Sequence, residues 1–242
     1  MMCVQWLLRG LVILISSITI SVGALEVTPM VITLSPDTPS KIPSSLIYNQ
    51  LPREIAFDIE VYEINFSESI PSLQRLEDSP LWVFPPSLFL QEGQGQKIQF
   101  RWIAQNLPKY DKSYQVSLVE QPLASNIGSD TSQLKILMNV NLVVHVNRDI
   151  YLPNLKILTS KIEKGELFAQ VKNEGEGAAR LSDYKIRVTT NKSVETTFEK
   201  HALLEKGYDV FFAPYATQTI KVKLPKNIES RGVEHLSLEL VQ

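Results

Sequence analysis

The sequence predicts an all-β protein built from two immunoglobulin-like β-sandwich domains. Short apolar segments with alternating periodicity follow one another along most of the 242 residues, and turn residues separate them. No stretch of ten or more residues has a helical apolar period with helix caps. The short segment 147–153 divides the strands into two series, and so short a linker favours a fixed angle between the domains. The domains are therefore expected at 25–147 and 148–242.

Residues 1–24 are predicted to be a secretory signal peptide. Arg9 is the only charged residue of the first ten, and the mostly apolar run LVILISSITI follows it. Val22 and Ala24 then provide small residues at positions −3 and −1 of a cleavage site after Ala24. A membrane anchor is the alternative, but this apolar run is too short to cross about 30 Å of hydrocarbon.

Composition excludes several kinds of protein. Cys3 is the only cysteine and lies in the predicted signal, so the mature chain has no disulfide, thiol nucleophile or thiolate metal site. Removal of Arg9 leaves 23 basic residues against 26 acidic ones, which is not the balance of a nucleic-acid-binding protein. No further long apolar run follows, so we expect no membrane insertion after signal cleavage.

The first domain is predicted to contain about seven strands closing on one unusually long strand. The expected segments are 26–34, 44–49, 55–61, 81–84, 88–90, 97–103, 113–120 and 134–146. Pro29 suits an edge or a bulge in the first of them. The small, polar segment 122–133 is predicted to be a loop immediately before the long strand.

The segment 134–146, LKILMNVNLVVHV, is more than twice the usual strand length of about 5–6 residues. Every second residue is apolar, which predicts one continuous apolar face. These residues are Leu134, Ile136, Met138, Val140, Leu142, Val144 and Val146. One small sandwich does not need so long a face, so part of it is predicted to be buried by another protein. The alternative is an ordinary core strand.

The second domain is predicted to contain a further series of strands. The expected segments are 155–159, 166–173, 184–190, 194–198, 209–212, 218–224 and 235–241. Turns are predicted at 173–177 and at the two prolines Pro214 and Pro225.

No pattern in the sequence indicates catalysis, a metal site or a cofactor. The three histidines His145, His201 and His235 lack metal-ligand spacing, and no nucleophile motif or phosphate-binding glycine loop is present. Paired carboxylates such as Glu77 and Asp78 fall in predicted loops. We therefore expect a protein that is not an enzyme and needs no cofactor.

The first-domain residues resemble the periplasmic pilus-assembly chaperones, the PapD-like family. The residues that carry the resemblance are the proline pair in Val83-Phe84-Pro85-Pro86, Leu90, the turn residue Gly93, the strand end Ile98-Gln99-Phe100-Arg101, Leu107-Pro108, Asp111 and Ser113-Tyr114. The resemblance implies a boomerang-like pair of sandwiches that caps pilus subunits by strand addition and delivers them to an outer-membrane usher. It also implies that Leu134, Ile136, Met138 and Val140 enter the subunit, whereas Leu142, Val144 and Val146 stay in the chaperone's own core.

The sequence departs from the family at the site that anchors the subunit's C-terminal carboxylate. The best-known branch uses one basic residue in the first strand and one in the donor strand. Here no Lys or Arg lies between Leu25 and Asp37, and no basic residue clearly matches the family's lysine in the donor strand. This departure indicates a divergent branch, such as an archaic or alternative chaperone–usher type, or a different anchor. Arg101 is the candidate anchor, and a surface strand arginine is the alternative.

A secreted structural pilus subunit or adhesin of the same fold is the second hypothesis. Such a protein needs a free N-terminal donor segment with alternating apolar residues. The predicted mature chain instead enters a strand almost at once, which favours the chaperone. The identity of the subunit, the usher and the pilus is not encoded in a recognisable way.

Overall fold

A computed structural model of the chain describes residues 23–37, 42–66, 70–123, 136–190, 195–225 and 233–240. Within these ranges the protein is almost entirely β, with one six-residue helix, α1 (Lys200–Glu205), and one 3-10 turn, Leu181–Asp183. The predicted all-β class is confirmed. The predicted signal at 1–24 lies almost wholly outside the described residues, and no described helix is long and apolar enough to span a bilayer.

The first half of the chain forms two facing sheets. Its strands are β1 (Leu25–Thr28), β2 (Val31–Leu34), β3 (Ser44–Asn49), β4 (Ile55–Asn65), β5 (Ser72–Arg75), β6 (Leu81–Phe84), β7 (Ser87–Leu90), β8 (Gly95–Trp102), β9 (Lys112–Gln121) and β10 (Asn139–Val146). One sheet has the order β1-β3-β8-β6, and the other has the order β2-β10-β9-β4-β5, with β7 also paired to β4. The alternating apolar residues of both sheets meet in a core centred on Phe57, Phe100 and Tyr114, which are fully buried.

The second half forms a separate core. Its strands are β11 (Leu155–Glu163), β12 (Glu166–Asn173), β13 (Ala179–Arg180), β14 (Tyr184–Thr190), β15 (Glu195–Phe198), β16 (Phe211–Phe212), β17 (Thr217–Lys223) and β18 (Val233–Leu240). They form the sheets β11-β12-β17, β15-β14-β18 and the small pair β13-β16. Ile186, Phe212 and Ile220 are fully buried between them.

The segment 26–34 differs from its prediction, because it forms two strands in different sheets rather than one. β1 pairs antiparallel with β3, whereas β2 pairs parallel with β10. Pro29 lies at the break, where a residue without an N–H can interrupt the ladder without leaving a donor unpaired. This change of sheet places β2 beside the last four residues of β10.

Asp111 connects the two halves of the chain. Its carboxylate accepts hydrogen bonds from the Arg148 N–H at 2.8 Å, the Asn147 side chain at 2.9 Å and the Ala178 N–H at 2.9 Å. The turn that carries Ala178 packs tightly on the linker, since a Cβ on Gly177 would lie 2.4 Å from the Tyr151 carbonyl oxygen. The boundary at 147 stays a prediction, and the two buried cores lie on either side of it.

Candidate functional site

Strand β10 is paired along its whole length on one edge and along only half of the other. Antiparallel to β9, it runs from the pair Asn139–Val119 to the pair Val146–Lys112. Parallel to β2, it pairs only from Val143 to Val146. Among the described residues, positions 139–142 therefore have no strand partner on their second edge. Their backbone groups on that edge are open to another strand.

The apolar face of this segment becomes steadily more exposed toward its N-terminal end. Leu142, Val144 and Val146 are fully buried in the first core, as predicted. Val140 is partly buried against that core, and Met138 is of intermediate exposure. Ile136 is 73% exposed, which is unusual for a large aliphatic side chain in line with a core strand. Leu134 lies outside the described residues.

The strand is shorter than the predicted 134–146, because residues 136–138 lie outside it. The ladder with β9 ends at Met138. The Glu120 N–H still donates to the Met138 carbonyl at 3.0 Å, but the Met138 N–H donates at 3.0 Å to the Glu120 side-chain oxygen Oε2. A side chain thus takes the hydrogen bond that the backbone would take in a regular antiparallel pair.

The opposite face of β10 is mixed, with Asn139, Asn141, Val143 and His145, and its His145 end contacts the second sandwich. The Ser117 hydroxyl donates to Asn141 Oδ1 at 2.8 Å, and Ser113 Oγ lies 2.8 Å from Nδ1 of His145. The His145 ring stacks on Phe211 of β16 with the ring centroids 4.5 Å apart. Burial, and secondarily the positive charge of Arg180, lowers the pKa of His145 to about 4. His145 is therefore a neutral packing residue at this junction.

Three cations near the junction were not predicted as a group from the sequence. Lys112 Nζ lies 2.6 Å from Glu63, Arg148 Nε lies 2.7 Å from Asp37, and Arg180 Nη1 lies 3.5 Å from Asp209. Each is thus already paired with a carboxylate, although the Arg180 contact is long for a salt bridge. Their acidic partners are distant in sequence, so only the position of Lys112, immediately before the predicted strand 113–120, could have placed one of them here.

Arg101 lies in the sheet that does not contain β10. It stands on β8 opposite Trp82 of β6, and its side chain is exposed. It lines a cavity of about 430 Å³ together with Phe100, Trp102, Leu107 and the segment 34–36 that follows β2. In the part of the chain that the structure describes, no carboxylate pairs with Arg101. The structure does not bring it together with Ile136, Met138 and Val140.

Comparison with known proteins finds likeness in structure alone. Neither a scan against protein-family models nor a search of the curated proteins gives a match. Among solved structures, the class 5 fimbriae chaperone CfaA matches at 15% identity and a TM-score of 0.57, over 90% of this chain and all of its own. The complex of the Salmonella enterica SafA pilin with the SafB chaperone contributes a match at 14% identity and a TM-score of 0.51, over 92% and 99% of the two chains.

A third match comes from the archaic Csu pili of Acinetobacter baumannii. It is a chaperone–tip subunit pre-assembly complex, matched at 13% identity and a TM-score of 0.50, over 81% of this chain and 89% of the other. This chain has the fold of the fimbrial chaperones. The resemblance inferred from the first-domain residues is thus confirmed at the level of the fold.

Proposed function

We propose that the protein is a periplasmic chaperone that holds pilus subunits by adding the N-terminal part of the β10 segment to them as a strand. The half-paired edge of β10 carries this proposal. Residues 139–142 offer backbone groups to a partner, and the apolar face from Ile136 to Val140 continues the core face outward. A subunit with an open groove would gain main-chain hydrogen bonds from the edge and pocket contacts from alternate side chains.

The side chains have the size and spacing that such a groove requires. Ile136, Met138 and Val140 lie two residues apart, which is about 6.6–6.8 Å along an extended strand. Burial of each contributes roughly 1.5–3 kcal/mol, before the cost of ordering the segment. Leu134 would add a fourth contact. No cofactor or nucleotide is needed for this binding mode, and no catalytic step is involved.

A structural pilus subunit of the same fold is less well supported, because the N-terminal segment is used within the chain. Leu25 pairs with Asn49 of β3, and Val31 pairs with Val143 of β10. Residues 25–34 are therefore not a free donor strand. The exposed apolar segment of this protein instead lies in the middle of the chain, around Ile136, and leads directly into β10, the last strand of the first sandwich.

Replacement of Ile136 by Asp tests this proposal in cells that co-produce a candidate pilin. We expect Ile136→Asp to abolish recovery of a soluble 1:1 complex, because an ionised side chain cannot enter an apolar pocket without a partner. Ile70→Asp is the matched control, since Ile70 is 79% exposed and Ile136 is 73% exposed. If both variants recover as much pilin as the unmodified chain, the segment is not the subunit-binding strand.

Arg101 stays our candidate for the anchor of the subunit's C-terminal carboxylate, and delivery to an outer-membrane usher belongs to the same proposal. Arg101 is exposed and has no carboxylate partner among the described residues. Loss of a charge-assisted hydrogen bond weakens binding roughly 10- to 150-fold. We expect that loss for Arg101→Ala, but not for Arg75→Ala, whose side chain is 64% exposed and paired with Glu60. Equal affinity of the two variants for the pilin would exclude Arg101 as the anchor.

A further inference from the structure

The ion pair of Arg53 and the buried Glu120 meets the backbone at the point where the β10 ladder ends. Glu120 lies on β9 and its side chain is 1% exposed, whereas the Arg53 side chain is 30% exposed. Arg53 Nη1 donates to Glu120 Oε1, and Nη2 donates to Oε2 at 3.1 Å. The guanidinium therefore binds both carboxylate oxygens in a bidentate contact, which fixes the orientation of the carboxylate as well as its position.

The same carboxylate also holds the chain that leads into β10. Glu120 Oε2 accepts the Met138 N–H at 3.0 Å, and the Glu120 N–H donates to the Met138 carbonyl at 3.0 Å. Both backbone groups of Met138 are thus bound by one residue. Ile136, two residues earlier, is 73% exposed, so Met138 is the last held point before the exposed part of the segment.

The loop that supplies Arg53 is itself held. The buried side chain of Asn49 donates from Nδ2 to the Arg53 carbonyl at 2.9 Å, and its Oδ1 accepts the Leu51 N–H at 3.0 Å. Arg53 therefore reaches Glu120 from an anchored backbone. Contacts run without a break from β3, through the loop and Glu120, to Met138.

The hydrogen bonds of Glu120 fix the backbone of Met138 relative to β9, and this position decides which face the preceding side chains occupy. A slip of one residue in a strand moves every side chain to the opposite face. At Met138 the pairing with β9 is no longer a regular ladder, and among the described residues β2 supports β10 only from Val143 onward. Without a further constraint, the segment before residue 139 could twist so that Ile136 and Met138 leave the line of the core face.

We infer that Arg53 and Glu120 are positioning residues that clamp Met138, and thereby hold Ile136 and Met138 in register for insertion into a partner. This inference rests on the proposed function, since it assigns the clamped segment to a subunit. Neither residue needs to contact the subunit. Their role is to present the exposed segment in one alignment, so that less ordering is needed on binding.

Hydrogen exchange of the protein alone tests the clamp. Glu120→Met keeps a similar side-chain length but removes the acceptor of the Met138 N–H, and loss of one such hydrogen bond corresponds to about a tenfold change. We expect exchange of the Met138 amide to rise about tenfold, while exchange of the Val144 amide in the core-facing half stays unchanged. A pair that only stabilises the whole fold would accelerate both amides by the same factor, and that result would overturn the inference.

A second variant separates the bidentate contact from simple charge compensation. Arg53→Lys keeps the positive charge but cannot grip both oxygens. Spin labels at Ile136→Cys and Lys97→Cys, in a chain with Cys3→Ser, report the spread of distances between the exposed segment and the sheet of β8. We expect Arg53→Lys to broaden this spread and the exposed control Arg75→Lys to leave it narrow. An unchanged distribution of distances between the two spin labels in Arg53→Lys would overturn the inference that Arg53 and Glu120 hold Met138.

Both measurements use the free protein, so their outcome is independent of pilin capture. If Glu120→Met and Arg53→Lys show none of the expected changes while Ile136→Asp still abolishes pilin capture, this inference alone is refuted. If both variants show the expected changes while Ile136→Asp still captures pilin, the proposed function alone is refuted.

Discussion

The His145 ring provides a sharp test of how the two sandwiches pack. It lies between Ser113 of β9 and Phe211 of β16, so it contacts residues of both halves of the chain. Replacement by Gln keeps a neutral polar side chain that can still bond to the Ser113 hydroxyl. The substitution removes the imidazole, whose charge changes as the pH is lowered.

The size of the effect follows from the pKa of His145. Burial, and secondarily the positive charge of Arg180, lowers this pKa to about 4, from 6.5 for an ordinary histidine. Below pH 6.5 the unfolded chain binds a proton at this site that the folded chain does not bind until about pH 4. The free energy of unfolding therefore falls as pH falls through this window, by about 1.4 kcal/mol per pH unit once the window is entered. Between pH 7 and pH 5 the loss due to His145 is about 2 kcal/mol.

Urea unfolding at pH 7 and pH 5 measures this loss directly. We expect the unmodified chain to lose about 2 kcal/mol more than His145→Gln between the two pH values. His201→Gln is the matched control, because the His201 side chain is 90% exposed. It should behave like the unmodified chain. If His145→Gln and the unmodified chain lose the same free energy of unfolding, His145 is not a buried neutral residue and the packing of Phe211 upon it is wrong.

Two further predictions concern the strand and the junction. Leu142→Ala should lower the free energy of unfolding by about 3 kcal/mol, because Leu142 is fully buried. Ile136→Ala should change it by less than about 0.5 kcal/mol, because Ile136 is exposed. Chemical denaturation of both variants measures the difference, and equal losses would contradict the division of the strand into a core-facing and an exposed half. Asp111→Ala removes the acceptor of the Arg148 and Ala178 amides, so the two sandwiches should be held less rigidly. Small-angle X-ray scattering should then show a wider distribution of the distance between them. An unchanged scattering profile would contradict the role of Asp111 in connecting the two sandwiches.

The sequence predicted the core-facing half of β10 because period-two alternation reports directly which residues face inward. Leu142, Val144 and Val146 are buried as that alternation requires. The end of the strand could not be predicted in the same way. It depends on Glu120, whose carboxylate binds Met138 and Arg53, and Arg53 lies 67 residues away along the chain. Contacts of that kind leave no local pattern in the sequence.

The change of sheet at Pro29 shows a similar limit. A proline inside an extended segment predicts an edge or a break, but it does not say which strands the two parts join. The partner of β2 turned out to be the C-terminal half of β10. That pairing decides how much of β10 stays open, so the size of the candidate site was set by a long-range contact rather than by the apolar run itself.

An open apolar edge is a hazard for a protein on its own, and the polar face of the segment limits it. Asn139 and Asn141 are exposed and alternate with Val140 and Leu142, so only one face of the open stretch is apolar. Within the described ranges, the stretch that lacks a strand partner is also short, since β2 covers the edge from Val143 onward. Short edges with polar residues pair poorly with copies of themselves. A partner that offers a deep apolar groove gains from the exposed face, whereas the same edge of a second copy, in the part of the chain that the structure describes, presents the exposed Asn139 and Asn141. The half-paired strand therefore favours a heterologous partner over self-association.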